Sequence, residues 1–120
     1  MSKLYEINIE DNKKTLYVKA SGFFKEEDAL AYVNDFQAAL KKISIPTFKL
    51  IVDATEQKAV AQDVVDEIKN VLNLYMGCGF KKIVVINPSS VVAKVQIQKC
   101  AKEMNFSGEF ADNLEKAYSL

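Results

Sequence analysis

Asp53-Ala54-Thr55 follows the apolar run Phe48-Lys49-Leu50-Ile51-Val52 and is the first place where side chains could do chemistry. An acid and a hydroxyl at the carboxyl end of a buried strand can hold a ligand, a metal ion or a phosphoryl group, because open α/β sheets build their sites there. The same two side chains can instead satisfy nearby backbone amides, a common use of Asp and Thr in loops. No second acidic cluster accompanies Asp53, so no metal ligands and no cofactor are assigned. Gln62-Asp63 opens the next helical pattern, where Asp63 fits a cap or a first-turn acid at the positive helix end. Asn87-Pro88-Ser89-Ser90 stands between another apolar run and a third helical pattern. A helix start can hold an anion, and two serines could be phosphorylated. The loop lacks the glycines of a phosphate-wrapping turn, so capping by Ser89 or Ser90, with Pro88 at the helix start, is the simpler use.

The chain contains no histidine. That removes serine–histidine–acid triads, cysteine–histidine dyads and histidine-bearing zinc sites. Carboxylate, lysine, tyrosine and thiol chemistry remain, and no catalytic residue is assigned. Cys100 lies on a helical apolar face with Ala93, Ile97, Ala101 and Met104, where a small buried hydrophobe is expected. Cys78, between Gly77 and Gly79, reads as part of a helix-ending loop and has no base to activate it. Phe23-Phe24 begins the first helical region. One ring can turn inward as a staple. The other, with Tyr32, Phe80 and the apolar flank of the second helix, could line a pocket or a partner surface.

The elements that must position these residues follow from periodicity. Over residues 3–20, Tyr5, Ile7 and Ile9 alternate with polar residues, as do Leu16, Val18 and Ala20. Asp11-Asn12-Lys13 forms the turn of a hairpin, and Ser21-Gly22 is expected to end its second strand. Glu26, Glu27 and Asp28 open a helix carrying Leu30, Val33, Phe36, Leu40 and Ile43, which Lys41-Lys42 and Pro46 close. Residues 48–52 form a strand covered on both faces. The second helix shows Val64, Ile68, Val71, Leu72 and Tyr75 at helical spacing and stops at Gly77 and Gly79. Ile83 to Ile86 is a second buried strand. A helix from about Val91 to Met104, a short edge strand from Phe106 to Phe110 and a last helical stretch from Asn113 complete the order. The fold class is α/β: one domain, 1–120, with a mixed four- to five-stranded sheet, an N-terminal hairpin and about four helices, in the order β-β-α-β-α-β-α.

With 120 residues the chain can bury a core without disulfides. Its 16 basic and 16 acidic residues cancel. The lysine pairs are separated by acids, so no basic stripe for nucleic acid is expected. No apolar run reaches the roughly 20 residues of a membrane span. The start of the chain lacks the apolar segment of a secretory signal, and two cysteines make no disulfide framework, so a cytoplasmic location is expected.

The order of elements, together with Val52-Asp53-Ala54-Thr55 and Val84-Val85-Ile86-Asn87-Pro88-Ser89-Ser90, resembles the STAS domain of anti-sigma factor antagonists. The nearer resemblance is to a STAS-like branch of small bacterial proteins of unknown function. Regulatory members carry an aspartate, a phosphorylatable serine, a second small hydroxyl residue and a glycine at the start of the second helix. The corresponding stretch here is Val60-Ala61-Gln62-Asp63-Val64, with Asp63 as a fixed negative charge in place of a phosphoacceptor. The resemblance implies a non-enzymatic regulatory module that binds a protein partner, or a second copy of itself, through Asp53, Thr55, Gln62 and Asp63, without a phosphoserine switch. The alternative is a binder of a lipid or another small apolar ligand through Phe23, Phe24 and Phe80, since some STAS-like proteins resemble lipid-binding α/β domains whose helices swing apart. An enzyme ranks third.

Overall fold

The hairpin forms in the computed structural model, which describes residues 4–120; Lys3, at the start of the expected hairpin, lies outside them. Strand β1 (Tyr5–Glu10) pairs antiparallel with β2 (Thr15–Gly22), from Tyr5 opposite Ala20 to Glu10 opposite Thr15. A 3-10 turn at Asp11–Lys13 connects them and ends on Lys14 in the left-handed region, φ 46°. Strands β3 (Lys49–Gln57), β4 (Lys82–Ile86) and β5 (Glu109–Ala111) follow in parallel, so the sheet order is β1-β2-β3-β4-β5.

Helices α1 (Glu26–Leu40), α2 (Val65–Cys78) and α3 (Val91–Glu103) connect the parallel strands in turn, and α4 (Leu114–Ser119) ends the chain. A sheet that advances in one direction through right-handed crossovers stacks its connecting helices on one face. The larger core lies on that face, where Leu16, Val18, Leu50, Val52, Ile83 and Val85 meet Phe36, Leu72, Tyr75, Cys100 and Ala101. On the opposite face Ile51, Val84, Ile86 and Ala111 pack against Ala117, with Tyr17 and Tyr118 at the margin. Burial of Leu50, Ile51 and Val52 alike explains why this strand is apolar without alternation.

Local signals set most helix ends. The Asp28 carboxylate accepts from Lys25 N at 2.8 Å before α1, and Pro46 sits in a 3-10 turn beyond it. Ser90 Oγ accepts from Ala93 N at 3.3 Å and Asn113 Oδ1 from Lys116 N at 2.8 Å. Gly79, φ 90°, ends α2 in a conformation that a side chain would strain.

The structure corrects four local expectations. Strand β2 runs through Ser21 and Gly22 instead of breaking there, because both pair with β3 beyond an irregularity. In the α1 stripe Phe36 is buried and Val33, Leu40 and Ile43 pack partly buried against the core as expected, but Leu30 is 56% exposed and Ala29, Tyr32 and Ala39 turn inward instead. Of the two uses expected of Asp63, the cap is not made and the first-turn acid is. Asp63 lies exposed in a 3-10 turn (Gln62–Val64) whose amides receive no side-chain cap. Pro88 precedes the cap of α3 by two residues rather than starting the helix.

Candidate functional site

Strand β3 carries the first candidate pair. Between Lys19 and Ser21 of β2 the register advances two residues, while β3 advances three, from Asp53 to Glu56. Such a bulge frees an amide from the ladder. Here Thr55 N donates to Asp53 Oδ1 at 3.1 Å and Thr55 Oγ1 donates to the same oxygen at 2.6 Å. Tyr17, from β2, donates its hydroxyl to Asp53 Oδ2 at 2.6 Å. Burial pushes the Asp53 carboxyl up, but the Thr55 and Tyr17 donors outweigh it and hold the group below the usual carboxylate range. Lys19 stands nearby and pairs with Glu56 at 2.5 Å. Asp53 is 92% shielded from solvent and both its oxygens are occupied, so the pair acts as an internal brace, as loop-satisfying Asp and Thr do.

Alternation along β3 turns Asp53, like Ile51, to the face that α4 partly covers, whereas Val64, beside Gln62 and Asp63, belongs to the core on the other face. The four residues expected to form one surface are therefore split by the sheet. Gln62 and Asp63 are exposed, and no hydrogen bond or ion pair among the described residues joins them to Asp53 or Thr55. Ser89 is drawn into the same loop system, donating Oγ to Thr55 O at 2.9 Å. Gln96 of α3 clamps the loop by accepting from Val60 N and donating to Val60 O, each at 2.9 Å.

On the helical face the structure opens an apolar cavity of about 80 Å³. Its floor is Val18 and Ala20 of β2, Val52 and Ala54 of β3 and Val85 of β4. Its walls come from α1, α2 and Ile97 of α3. Small side chains make the space: Ala20, Ala29 and Ala54 stand where larger residues would fill the layer. Gln57 and Glu67, half-buried, supply polar groups near the strand carboxyl ends. Both helices run back along the sheet from there, so Tyr32 and Tyr75 line the deeper part. Their hydroxyls meet at 2.5 Å, and burial raises both phenol pKa values well above the ordinary range.

Of the three expected phenylalanines, Phe24 lines this cavity and is 9% exposed. Phe23 is 68% exposed and does not line it. Phe80 does not line it either; its ring packs on Phe36 with centroids 6.3 Å apart. Tyr32 and the flank of α2 do line it. A second, shallower depression of about 590 Å³ follows β1 and α1, with a lining as polar as it is apolar.

The remaining reactive groups are quiet. Cys78 is the last residue of α2, donates Sγ to Leu74 O at 3.1 Å, and burial pushes its thiol pKa up, away from the thiolate. Cys100 is buried. Among the described residues no three cysteine, aspartate or glutamate side chains gather as a cation cage, and no helix is long and apolar enough to cross a membrane.

No family model matches the chain, and neither does any curated protein. Among solved structures, the chain is similar to an uncharacterised protein of the DUF3478 family from Shewanella loihica PV-4, whose crystal structure is described as having a SpoIIAA-like fold. The two are 22% identical, with a TM-score of 0.66 over 96% of this chain and 91% of that one. At that identity the likeness bears on architecture alone: the protein has a SpoIIAA-like, that is STAS-like, α/β fold.

Proposed function

We propose that the protein is a non-enzymatic binding module whose ligand is a small apolar molecule, or one end of a longer one, held between α1 and α2. The observation that carries this reading is the cavity itself. It is more apolar than the depression along β1 and lies beside the carboxyl ends of β2 and β3, while Tyr17, Asp53 and Thr55 on the other face already bond to one another. An unfilled cavity costs about 24 cal/mol per Å³, or ~2 kcal/mol for one this size. A molecule that fills it recovers part of that cost.

Size sets the ligand's entry. An apolar cavity of roughly 150 Å³ accommodates benzene. This one is about half as large, so a longer chain enters only as α1 and α2 part. Among the described residues one hydrogen bond joins the two helices, between Tyr32 and Tyr75, and the other contacts across the gap are apolar. Extraction of the purified protein under denaturing conditions, followed by mass spectrometry, tests the reading together with uptake of a fluorescent fatty acid. A recovered apolar molecule or saturable uptake is expected. An empty extract with no uptake would refute it.

A second reading, docking of a protein partner or a second copy without a phosphoserine switch, has its own support. Val91, Val92 and Val95 are 73%, 61% and 58% exposed on the first turns of α3. They neighbour Gln96, which fixes the loop leading to Gln62 and Asp63. Stoichiometric capture of a partner that Asp63→Lys or Val92→Asp abolishes is the expected result. Equal retention by wild type and both variants counts against it.

A further inference from the structure

Tyr32 and Tyr75 are 94% and 98% shielded from solvent, sit 43 residues apart in sequence, both line the cavity, and join their hydroxyls. Two phenols that bond to each other use one hydroxyl proton between them. The second proton has no further acceptor, because neither hydroxyl makes another hydrogen bond among the described residues. A spare donor inside an apolar cavity is costly to leave unmatched, since water alone would otherwise satisfy it. Aromatic rings surround the pair: Tyr5 stands edge-on to Tyr32 at 5.3 Å, and Phe36 packs on Tyr75 at 5.3 Å. Rings offer no strong acceptor, so the proton remains available to whatever occupies the cavity.

We infer that the cavity selects an apolar molecule bearing one neutral hydrogen-bond acceptor, such as a ketone, ester or ether oxygen, which takes the spare proton of the Tyr32–Tyr75 pair. This inference rests on the cavity reading above and narrows its ligand class. The lining disfavours a carboxylate at that depth. Its charged residues are Glu67, which would repel an anion, and Lys19, whose side chain turns with Asp53 to the other face and is engaged there by Glu56. A buried carboxylate without a cation loses far more hydration than a phenol returns. Burial keeps both phenols protonated, so the pair serves as a donor throughout the neutral range.

Three six-carbon probes, hexane, 2-hexanone and hexanoate, test the inference on the full chain, with affinities from NMR shift titration. In wild type the ketone binds at least tenfold tighter than hexanoate. Replacing both phenols, Y32F with Y75F, weakens 2-hexanone roughly 3- to 10-fold, the range one net hydrogen bond spans, and leaves hexane unchanged. Either single replacement keeps the preference, because the remaining phenol still has a proton to give. A role confined to packing would alter stability and both neutral probes together. Infrared spectroscopy supplies a test without variants, should the double replacement fail to fold: the carbonyl stretch of bound 2-hexanone falls to the frequency of a phenol-bonded ketone. A stretch at the alkane-solvent frequency, or ketone affinity indifferent to the double replacement, overturns the inference and leaves the cavity reading standing if hexane binds. Failure of both neutral probes to bind overturns both.

Discussion

The two faces of the sheet divide the molecule's polar and apolar resources in opposite ways. On the α4 face, Asp53 accepts three hydrogen bonds within a small network, Lys49 donates to the carbonyls of Tyr118 and Leu120 at 3.0 and 2.8 Å, and Tyr118 donates to Glu10. These groups join strands to one another or to the terminal helix, and the Asp53–Thr55 bonds brace β3 itself. On the face of α1 to α3 the layer is apolar but incompletely filled, and its deepest polar groups retain an unused proton. Chemistry-bearing residues thus mark the brace, and small residues mark the site. A polar side chain is free to serve a ligand only where the fold has not already consumed its hydrogen bonds.

The largest expected effect separates the faces directly. Asp53→Ala leaves the Tyr17 hydroxyl and the Thr55 amide without their acceptor, and hydrogen bonds to a charged group are worth about 1.5–3 kcal/mol each before compensation by water. A loss of roughly 2–4 kcal/mol is expected, read from the midpoint of denaturant unfolding at constant slope. Under native conditions the folded variant still takes up apolar probes. Loss of uptake without loss of stability would reverse the assignment of brace and site.

One residue further along the strand the sign changes. Ala54, 1% exposed, lines the cavity on the opposite face. Ala54→Val adds two carbons to a void in a strand that favours β-branched residues. Stabilisation of about 1 kcal/mol is expected from the apolar volume filled, together with weaker probe binding. Adjacent substitutions with opposite effects on stability, of which only Ala54→Val weakens uptake, are the sharpest check of the two-face division. Destabilisation by Ala54→Val with unchanged uptake would mean that the cavity is closed in solution.

These contrasts also explain what the sequence could and could not reveal. The strands were legible because Leu50 to Val52 and Ile83 to Ile86 are uninterrupted apolar runs, and α2 because its large apolar residues keep helical phase. In the α1 stripe Val33, Phe36, Leu40 and Ile43 are legible, whereas Ala29, Tyr32 and Ala39 weigh less in a hydrophobic pattern than the exposed Leu30. A cavity is made by absent atoms, so Ala20, Ala29 and Ala54 give no local signal of it. Tyr32 and the flank of α2 could be grouped as pocket residues from their character. The Tyr32–Tyr75 contact, spanning 43 residues, follows only from how two helices settle on one sheet. Asp53 and Asp63 looked like one site because they are near in sequence. Strand alternation turns Asp53 to the α4 face, whereas Asp63 lies beyond β3 in the 3-10 turn that leads into α2.

Acid titration gives a smaller signal from the brace. The folded Asp53 carboxyl titrates below its ordinary value, so its ionised form stabilises the fold above about pH 4, the unfolded carboxylate range. That contribution is lost as pH falls through the lower, folded value. Wild type should lose more stability between pH 5 and pH 2 than Asp53→Asn, which has no carboxyl at this position to protonate. Parallel acid limbs for the two proteins would show that the network does not depend on charge.

The smallest thermodynamic effect belongs to the residue that looked most regulatory. Asp63 is exposed, makes no cap hydrogen bond and interacts with α2 only through the positive helix end, an effect of about 0.3–1 kcal/mol at an exposed terminus. Asp63→Lys should therefore shift unfolding by less than about 1 kcal/mol and leave hexane and 2-hexanone affinities unchanged. Its expected influence is on recognition by another macromolecule beside Val92. An exposed charge on a rim acts through electrostatic steering, which changes association rates and their salt dependence more than stability. A captured partner whose association slows with Asp63→Lys, and recovers at high salt, would give the helical face two functions: a cavity for a small molecule and a rim read from outside. An association rate identical for wild type and variant at low salt removes Asp63 from that rim and leaves the cavity as the functional feature of this face.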